Sequence, residues 1–232
     1  MNRTVKTLIM PLMTNFENNV VFTYSEDTCM IRCVKALLSL NTLLEKFDEI
    51  YFVINEKVDN HWNLQQKISA DMSRLDCNNY KFIVLPKMTS SPAETVYNAL
   101  SIIGCDNRTI FIKDGDNKFI LDKSDMLFDN YVVTASLEKQ TFVDPQHKSY
   151  VKTDEQGFIT NCIEKRIISD KFIAGAYSFR DANLFKIGYD SLKKYCTSFY
   201  ISDIIYWLIL NKNEKFLPIE INNFLDFNIY RF

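Results

Sequence analysis

Glycine and proline are scarce in this 232-residue chain, five of each, and histidine is scarcer still, at two. No linker, internal repeat or low-complexity segment interrupts the chain, so one domain spanning residues 1–232 is expected. Two histidines, with no Cys-x-x-Cys among six cysteines, exclude a convincing zinc site. Cys29, Cys33, Cys77, Cys105, Cys162 and Cys196 read instead as thiols of a reducing compartment, which predicts a cytoplasmic protein. Basic excess is also missing. A formal net charge of -2 gives no support for binding nucleic acid or an anionic membrane surface. No apolar run is long enough to span a bilayer, and the N-terminus has no leader with a cleavage site. Neither membrane insertion nor export is expected.

What is present describes a soluble globular protein with a large core. Apolar residues make up 47% and charged residues 24%, with eighteen Phe and twelve Tyr. Periodicity predicts strands over Val5–Met10, Ile50–Ile54, Lys81–Leu85 and Thr109–Lys113. Helices are expected between them, over Cys29–Leu40 (with Cys29 and Cys33 on one face), His61–Leu75 and from Ser91 onward. The stretch Pro11–Thr28 reads as irregular and polar. Four strands alternate with three helices at this spacing, which predicts right-handed crossovers and a mostly parallel sheet. The second half is mixed. Short strands are expected over Tyr131–Ser136, Ser149–Thr153, Gly157–Ile163 and Phe172–Phe179, with a hairpin turn at Thr153–Gly157. Two helices, Ala182–Tyr195 and Ile201–Leu210, and a strand at Phe216–Ile221 complete the pattern.

Asp114-Gly115-Asp116 follows the fourth strand directly, with Lys113 between. Two carboxylates just past a strand's carboxyl end stand where open α/β sheets bind ligands. Hard oxygen ligands there suit Mg²⁺ or Mn²⁺ carrying a phosphate. Taken alone, the tripeptide reads first as an Asp-Gly turn. Ser91-Pro92-Ala93-Glu94 reads as an N-cap, a first-turn proline and a capping box, and such a helix start binds anions or polar base edges. Glu164 and Lys165 end a strand: a Glu suited to sugar hydroxyls beside a Lys suited to a phosphate. Asp226, among aromatics, reads either as a buried polar residue or as a metal ligand.

Taken in order, these segments resemble the sugar-phosphate nucleotidyltransferases of bacterial surface-polysaccharide pathways. The resemblance covers nearly the whole chain. It is strongest in Ser149-Tyr150-Val151-Lys152, Glu164-Lys165, Ile168-Ser169-Asp170 and Gly175-Ala176-Tyr177-Ser178-Phe179, which resemble the family's S-Y-V-K, E-K, I-S-D and G-x-Y-x-F. Thr89 to Val96 resembles its T-x-G-Q-A-E-T-V segment, and Leu225-Asp226-Phe227 its late D-W-G-T. The resemblance implies a Rossmann-like α/β fold, with a nucleotide-binding half over 1–120 and an acceptor-binding half over 121–232. It implies transfer of a nucleotidyl group from an NTP, CTP being the best guess, to a sugar- or polyol-phosphate, with loss of pyrophosphate. On that basis Asp116 and Asp226 hold Mg²⁺, and with Lys165 form the catalytic set. Leu8, Met10, Pro11, Lys87, Thr89, Ser90, Ser91, Ala93, Glu94 and Asp114 take the nucleotide. Ser149, Tyr150, Glu164, Lys165 and Gly175 take the acceptor. The oligomeric state stays open, a homo-oligomer included.

The chain departs from the family in two places. The glycine-rich G-x-G-x-R loop after the first strand, and the P-K that follows it, are missing; Met10 to Phe16 holds neither Gly nor Arg. Pro92 stands where the family has a base-reading Gln. Lys113 or Lys87 is the conjectured replacement cation. Two other readings follow from these departures. One is a glycosyltransferase gripping an NDP-sugar through Asp114, Asp116 and Mn²⁺. The other is a non-catalytic nucleotide-binding relative.

Overall fold

The computed structural model describes residues 3–13, 20–121, 128–140 and 142–229. Strands β1 (Val5–Pro11), β2 (Glu49–Asn55), β3 (Tyr80–Leu85) and β4 (Arg108–Lys113) are mutually parallel and stand in the order β3-β2-β1-β4. Beyond β4 the sheet continues through β9 (Lys171–Phe179), antiparallel to it, then β6 (Tyr131–Ser136) and β10 (Leu217–Glu220), parallel to one another. A hairpin of β7 (Ser149–Thr153) and β8 (Ile159–Glu164) attaches to β9 where Tyr150 opposes Phe172. A separate ribbon pairs β5 (Asn117–Ile120) with β11 (Asn222–Asp226). This is the mostly parallel sheet with a mixed second half that the alternation of elements predicts, and the Rossmann-like α/β fold that the resemblance implies.

Helices cover both faces, so the strands read as nearly unbroken apolar runs. In β1 the period of two sends Leu8 and Met10 to one face and Ile9 to the other. The first face packs on α1 (Arg32–Leu38), α2 (Glu56–Trp62) and α3 (Leu64–Arg74) through Val34, Leu37, Val58, Ile68 and Met72. The second packs on α4 (Pro92–Ile103), α5 (Ala182–Leu192) and α6 (Ile201–Lys212) through Val96, Leu100, Phe185, Ile204 and Leu208.

Several element boundaries differ from the sequence-based expectation, most for a local reason. Helix α1 starts at Arg32, not Cys29. Tyr24 and Ile31 form an antiparallel bridge, Cys29 adopts a left-handed φ of 52°, and the Ile31 N–H is capped by the Asp71 carboxylate at 2.8 Å. Cys29 and Cys33 therefore share no helix face; Cys29 is exposed and Cys33 is buried. The helix expected over His61–Leu75 is two helices, because Asn63 takes a left-handed φ of 53° between them. Asparagine tolerates that region better than most residues. The turn after β7 is as expected, with Asp154 accepting from the Gln156 and Phe158 amides, but β8 begins at Ile159 because Gly157 has φ +88°. Helix α5 ends at Leu192, before Tyr195. Within Pro11–Thr28, residues Val20–Phe22 form a 3-10 turn whose Val21 and Phe22 are buried, so that part is not polar surface. Thr14–Phe16, the end of the departing loop segment, lie outside the described residues.

Candidate active site

The carboxyl end of β4 runs into Asp114-Gly115-Asp116 and then β5, so the tripeptide is indeed a turn, tightly built. A Cβ on Gly115 would stand 2.5 Å from Leu12 Cδ2, so the end of β1 packs directly on the turn. Lys113 is fully buried behind it. Its ammonium donates to the Asp114 carbonyl at 2.7 Å, the Asn117 carbonyl at 2.9 Å and Asn117 Oδ1 at 2.7 Å. All three of its protons are thereby used to hold the turn closed. The conjecture that Lys113 supplies a cation to a triphosphate is therefore corrected: its charge is spent on the loop's own backbone. Burial lowers the Lys113 pKa, and Asp114 and Asp116 pull it back up. Burial raises that of Asp114, with Asp116 adding to the rise and Lys113 opposing it.

Asp116 and Asp226 lie far apart in sequence and are brought together by the β5–β11 ribbon. Asp226 stands opposite Asn117, and the Phe227 amide donates to the Asp116 carbonyl at 2.8 Å. Asn228 touches both carboxylates: its backbone N–H donates to Asp226 Oδ1 at 2.8 Å, and its side-chain amide to Asp116 Oδ2 at 3.1 Å. Asn117 Nδ2 donates to Asp116 Oδ1 at 3.0 Å, and Lys148 Nζ to Asp226 Oδ2 at 2.5 Å. Each carboxylate oxygen thus has one donor and retains acceptor capacity.

The β7–β8 hairpin supplies the other wall. Ser149 opposes Glu164, and its hydroxyl donates to Glu164 Oε2; Ser202 on α6 donates to the same oxygen at 3.2 Å. Lys165, with a left-handed φ of 54°, leaves the strand there and donates to the Tyr200 hydroxyl at 3.0 Å. That hydrogen bond raises the Lys165 pKa. Gly175 closes the floor, where the Asp114 amide donates to its carbonyl at 2.8 Å. These walls enclose a cavity of about 250 Å³, lined by Asp114, Asp116, Ser149, Glu164, Lys165 and Gly175, with Lys148, Tyr177, Tyr200 and Phe224 among the others.

The structure thus brings together the expected catalytic residues Asp116, Asp226 and Lys165, and the expected acceptor residues Ser149, Glu164 and Gly175. Tyr150 belongs to the core: its ring is buried and its hydroxyl donates to the Pro145 carbonyl at 2.7 Å, bracing the turn before β7. The nucleotide residues are spread more widely. Ser91 caps α4 as expected, but Glu94 bonds the Ser90 amide and hydroxyl, at 2.6 and 2.7 Å, rather than the Ser91 amide. Thr89 is held by Thr95 at 2.6 Å. The segment before α4 is therefore pinned by the helix's own first turn, beside Pro92 in the cavity wall. Leu8, Met10 and Ala93 have fully buried side chains, so only their backbone atoms could meet a ligand. Pro11 ends β1. Lys87 is exposed between β3 and α4, away from the cavity lining.

Sequence reasoning gave no role to Lys148, Asn117, Asn228 or Tyr200. Asn228 follows Asp226 by two positions, where an aspartate side chain commonly accepts the backbone amide two residues on, and Asn117 follows Asp116 directly. Lys148 and Tyr200 carried no comparable signal.

Among solved structures, the chain is similar to a nucleoside-diphosphate-sugar pyrophosphorylase from Vibrio cholerae RC9. The TM-score is 0.76 at 15% identity, over 97% of this chain and 96% of that one. It is similar to the inositol-1-phosphate CTP transferase from T. maritima, with a TM-score of 0.64 at 16% identity, over 97% and 88%. It is also similar to HddC from Yersinia pseudotuberculosis, crystallised with GMP-PN, with a TM-score of 0.63 at 13% identity, over 97% and 95%. The fold is therefore the Rossmann-like fold of nucleotidyltransferases. No protein-family model and no curated protein sequence matches the chain.

Proposed function

We propose that this protein is a Mg²⁺-dependent nucleotidyltransferase that joins an NTP, CTP in the first instance, to a sugar- or polyol-phosphate. The observation that carries the reading is that Asp116 lines one cavity with Glu164 and Lys165, while Asn228 and Lys148 tie the buried Asp226 to its edge. The donor set fits Mg²⁺: two acceptor-only carboxylates with spare lone pairs, one already paired to an ammonium cation. Among the described residues no group of three His, Cys, Asp or Glu side chains converges, so phosphate and water oxygens would complete the shell. When bound, the ion supplies charge neutralisation at the transferring phosphate.

The chain's own residues do the rest. Glu164, its Oε2 fixed by Ser149 and Ser202, receives acceptor hydroxyls. Lys165, steadied by Tyr200, pairs with the acceptor phosphate. The pinned segment Thr89 to Glu94 receives the base and ribose. An oxygen of the acceptor phosphate then forms a bond to the NTP α-phosphorus, and the bond from that phosphorus to the β-phosphate's bridging oxygen breaks. Pyrophosphate leaves with the electron pair. No covalent nucleophile is required, because positioning and charge neutralisation supply the rate. The product is an NDP-activated precursor suited to surface-polysaccharide assembly. The cytoplasm, where NTPs and free thiols coexist, is the proposed site of action. Among the described residues no helix is long and apolar enough to cross a membrane.

The test incubates the protein with each NTP, Mg²⁺ and a panel of sugar and polyol phosphates. Pyrophosphate release that requires one acceptor supports the reading. NDP release from an NDP-sugar instead moves the assignment to a glycosyltransferase, and nucleotide binding with neither release moves it to a non-catalytic relative.

A further inference from the structure

The segment that follows β1 holds no cation to meet a triphosphate: from Thr7 to Ile31 the chain carries no Lys or Arg. The cations nearest in sequence are engaged elsewhere. Arg32 donates to the Thr23 hydroxyl and the Tyr24 carbonyl, and Lys35 is paired with Asp27 at 2.5 Å. Lys113 is consumed by its own turn, and Lys165 stands at the exposed rim with Tyr200. Lys148 is different. Its side chain is 15% exposed, it lines the cavity, and its ammonium lies 5.1 Å from the centre of the Phe224 ring. Its polar partner among the described residues is Asp226, one of the two carboxylates assigned above to the metal. Its carbonyl accepts from the Lys165 amide at 3.0 Å, so the two lysines are fixed side by side at the open end of the hairpin, away from its turn.

A carboxylate cannot give its full charge to an ammonium and to a divalent ion at once. Whichever cation takes Asp226 releases the other, and a released ammonium in a small, partly buried cavity attracts the nearest anion strongly. Resting on the proposed nucleotidyl transfer, we propose that Lys148 is this chain's substitute for the missing loop arginine. In the metal-free protein it neutralises Asp226. When metal and nucleotide arrive it exchanges Asp226 for an oxygen of the reacting α-phosphate. It is then a catalytic cation, acting where charge accumulates during transfer.

The experiment has two arms. In the first, Mn²⁺ alone is titrated into the nucleotide-free protein and free Mn²⁺ is read by its paramagnetic resonance signal. Lys148→Met removes the competitor and should bind Mn²⁺ about tenfold more tightly than the wild type. Lys165→Met removes the same charge from the same cavity and should stay within about twofold, because it touches neither aspartate. Equal tightening in both variants, or none in Lys148→Met, overturns the exchange. If the Met variant does not fold, Lys148→Gln, which keeps a neutral donor for Asp226, carries the same expectation. In the second arm, kcat of Lys148→Met should fall about 100-fold with both KM values within about threefold, and Lys148→Arg should recover at least a tenth of the rate. An unchanged kcat, or a loss confined to one KM, overturns the catalytic role. If the wild type transfers no nucleotidyl group while the Mn²⁺ result holds, the proposed reaction fails and the exchange at Asp226 stands.

Discussion

Gly175→Ala tests the floor of the cavity, where two networks meet. Gly175 has φ +71°, a region that costs an L residue about 1 kcal/mol. A Cβ there would overlap Asn117 Nδ2 and stand 2.8 Å from Asp114 Oδ2. Asn117 cannot simply retreat. Its Oδ1 accepts from the buried Lys113, and its Nδ2 donates to Asp116. Moving it breaks one hydrogen bond to a charged group, worth about 1.5–3 kcal/mol. The reduced freedom of the unfolded chain gives back about 0.5 kcal/mol. The net loss is about 2–4 kcal/mol, which for a chain of this length lowers Tm by roughly 5–15 °C. Differential scanning calorimetry reads this directly. Mn²⁺ titration of the folded variant reads the second consequence, a severalfold weaker affinity as Asp116 loses its prop. An alanine variant with the wild-type Tm and the wild-type Mn²⁺ affinity would refute the claim that Asn117 and Asp114 are held against this glycine.

Three further outcomes follow from the same contacts. Lys113→Met leaves three buried acceptors without their donor and should cost about 2–4 kcal/mol in urea denaturation, even though apolar replacements of buried charges can be neutral; equal stability would show that the ammonium is not the turn's clasp. Glu49 is opposed by its burial, but its bonds to Lys81 and Arg108 outweigh that and hold it at about 2, against 4.5 unfolded. A depressed carboxyl adds stability that is complete above about pH 4.5 and is lost as the pH falls toward 2, so the gap between wild type and Glu49→Gln should be about 2 kcal/mol at pH 7 and less than half that at pH 3. A gap independent of pH contradicts the assignment. Lys165→Ala should raise KM for the acceptor about tenfold with KM for the NTP within about twofold, and parallel changes in both would contradict its place on the acceptor phosphate.

Much of this was legible in the chain because local patterns act locally. The apolar run at Thr109–Lys113, the cap at Ser91 and the Asp154 turn each carry their own backbone chemistry, and each stands where periodicity or turn residues put it. What escaped was long-range or depended on an unusual backbone angle. The left-handed φ values at Cys29 and Asn63 shorten one helix and split another without breaking apolar periodicity. The β5–β11 ribbon joins segments about a hundred residues apart, and its short strands carry little pattern of their own. For that reason Asp226 stayed ambiguous in sequence, and nothing local tied it to its partner Lys148. Lys113 misled for the opposite reason. A lysine beside two aspartates suggests a ligand cation, whereas its complete burial makes it part of the scaffold.

The most direct test of nucleotidyl transfer follows the α-phosphorus itself. The wild-type protein is incubated with Mg²⁺, an acceptor phosphate and an NTP radiolabelled at the α-position. The account predicts that the label enters an NDP-activated sugar or polyol while unlabelled pyrophosphate is released in equal amount. Label that remains in nucleotide across every NTP and acceptor, with the protein folded, would contradict it.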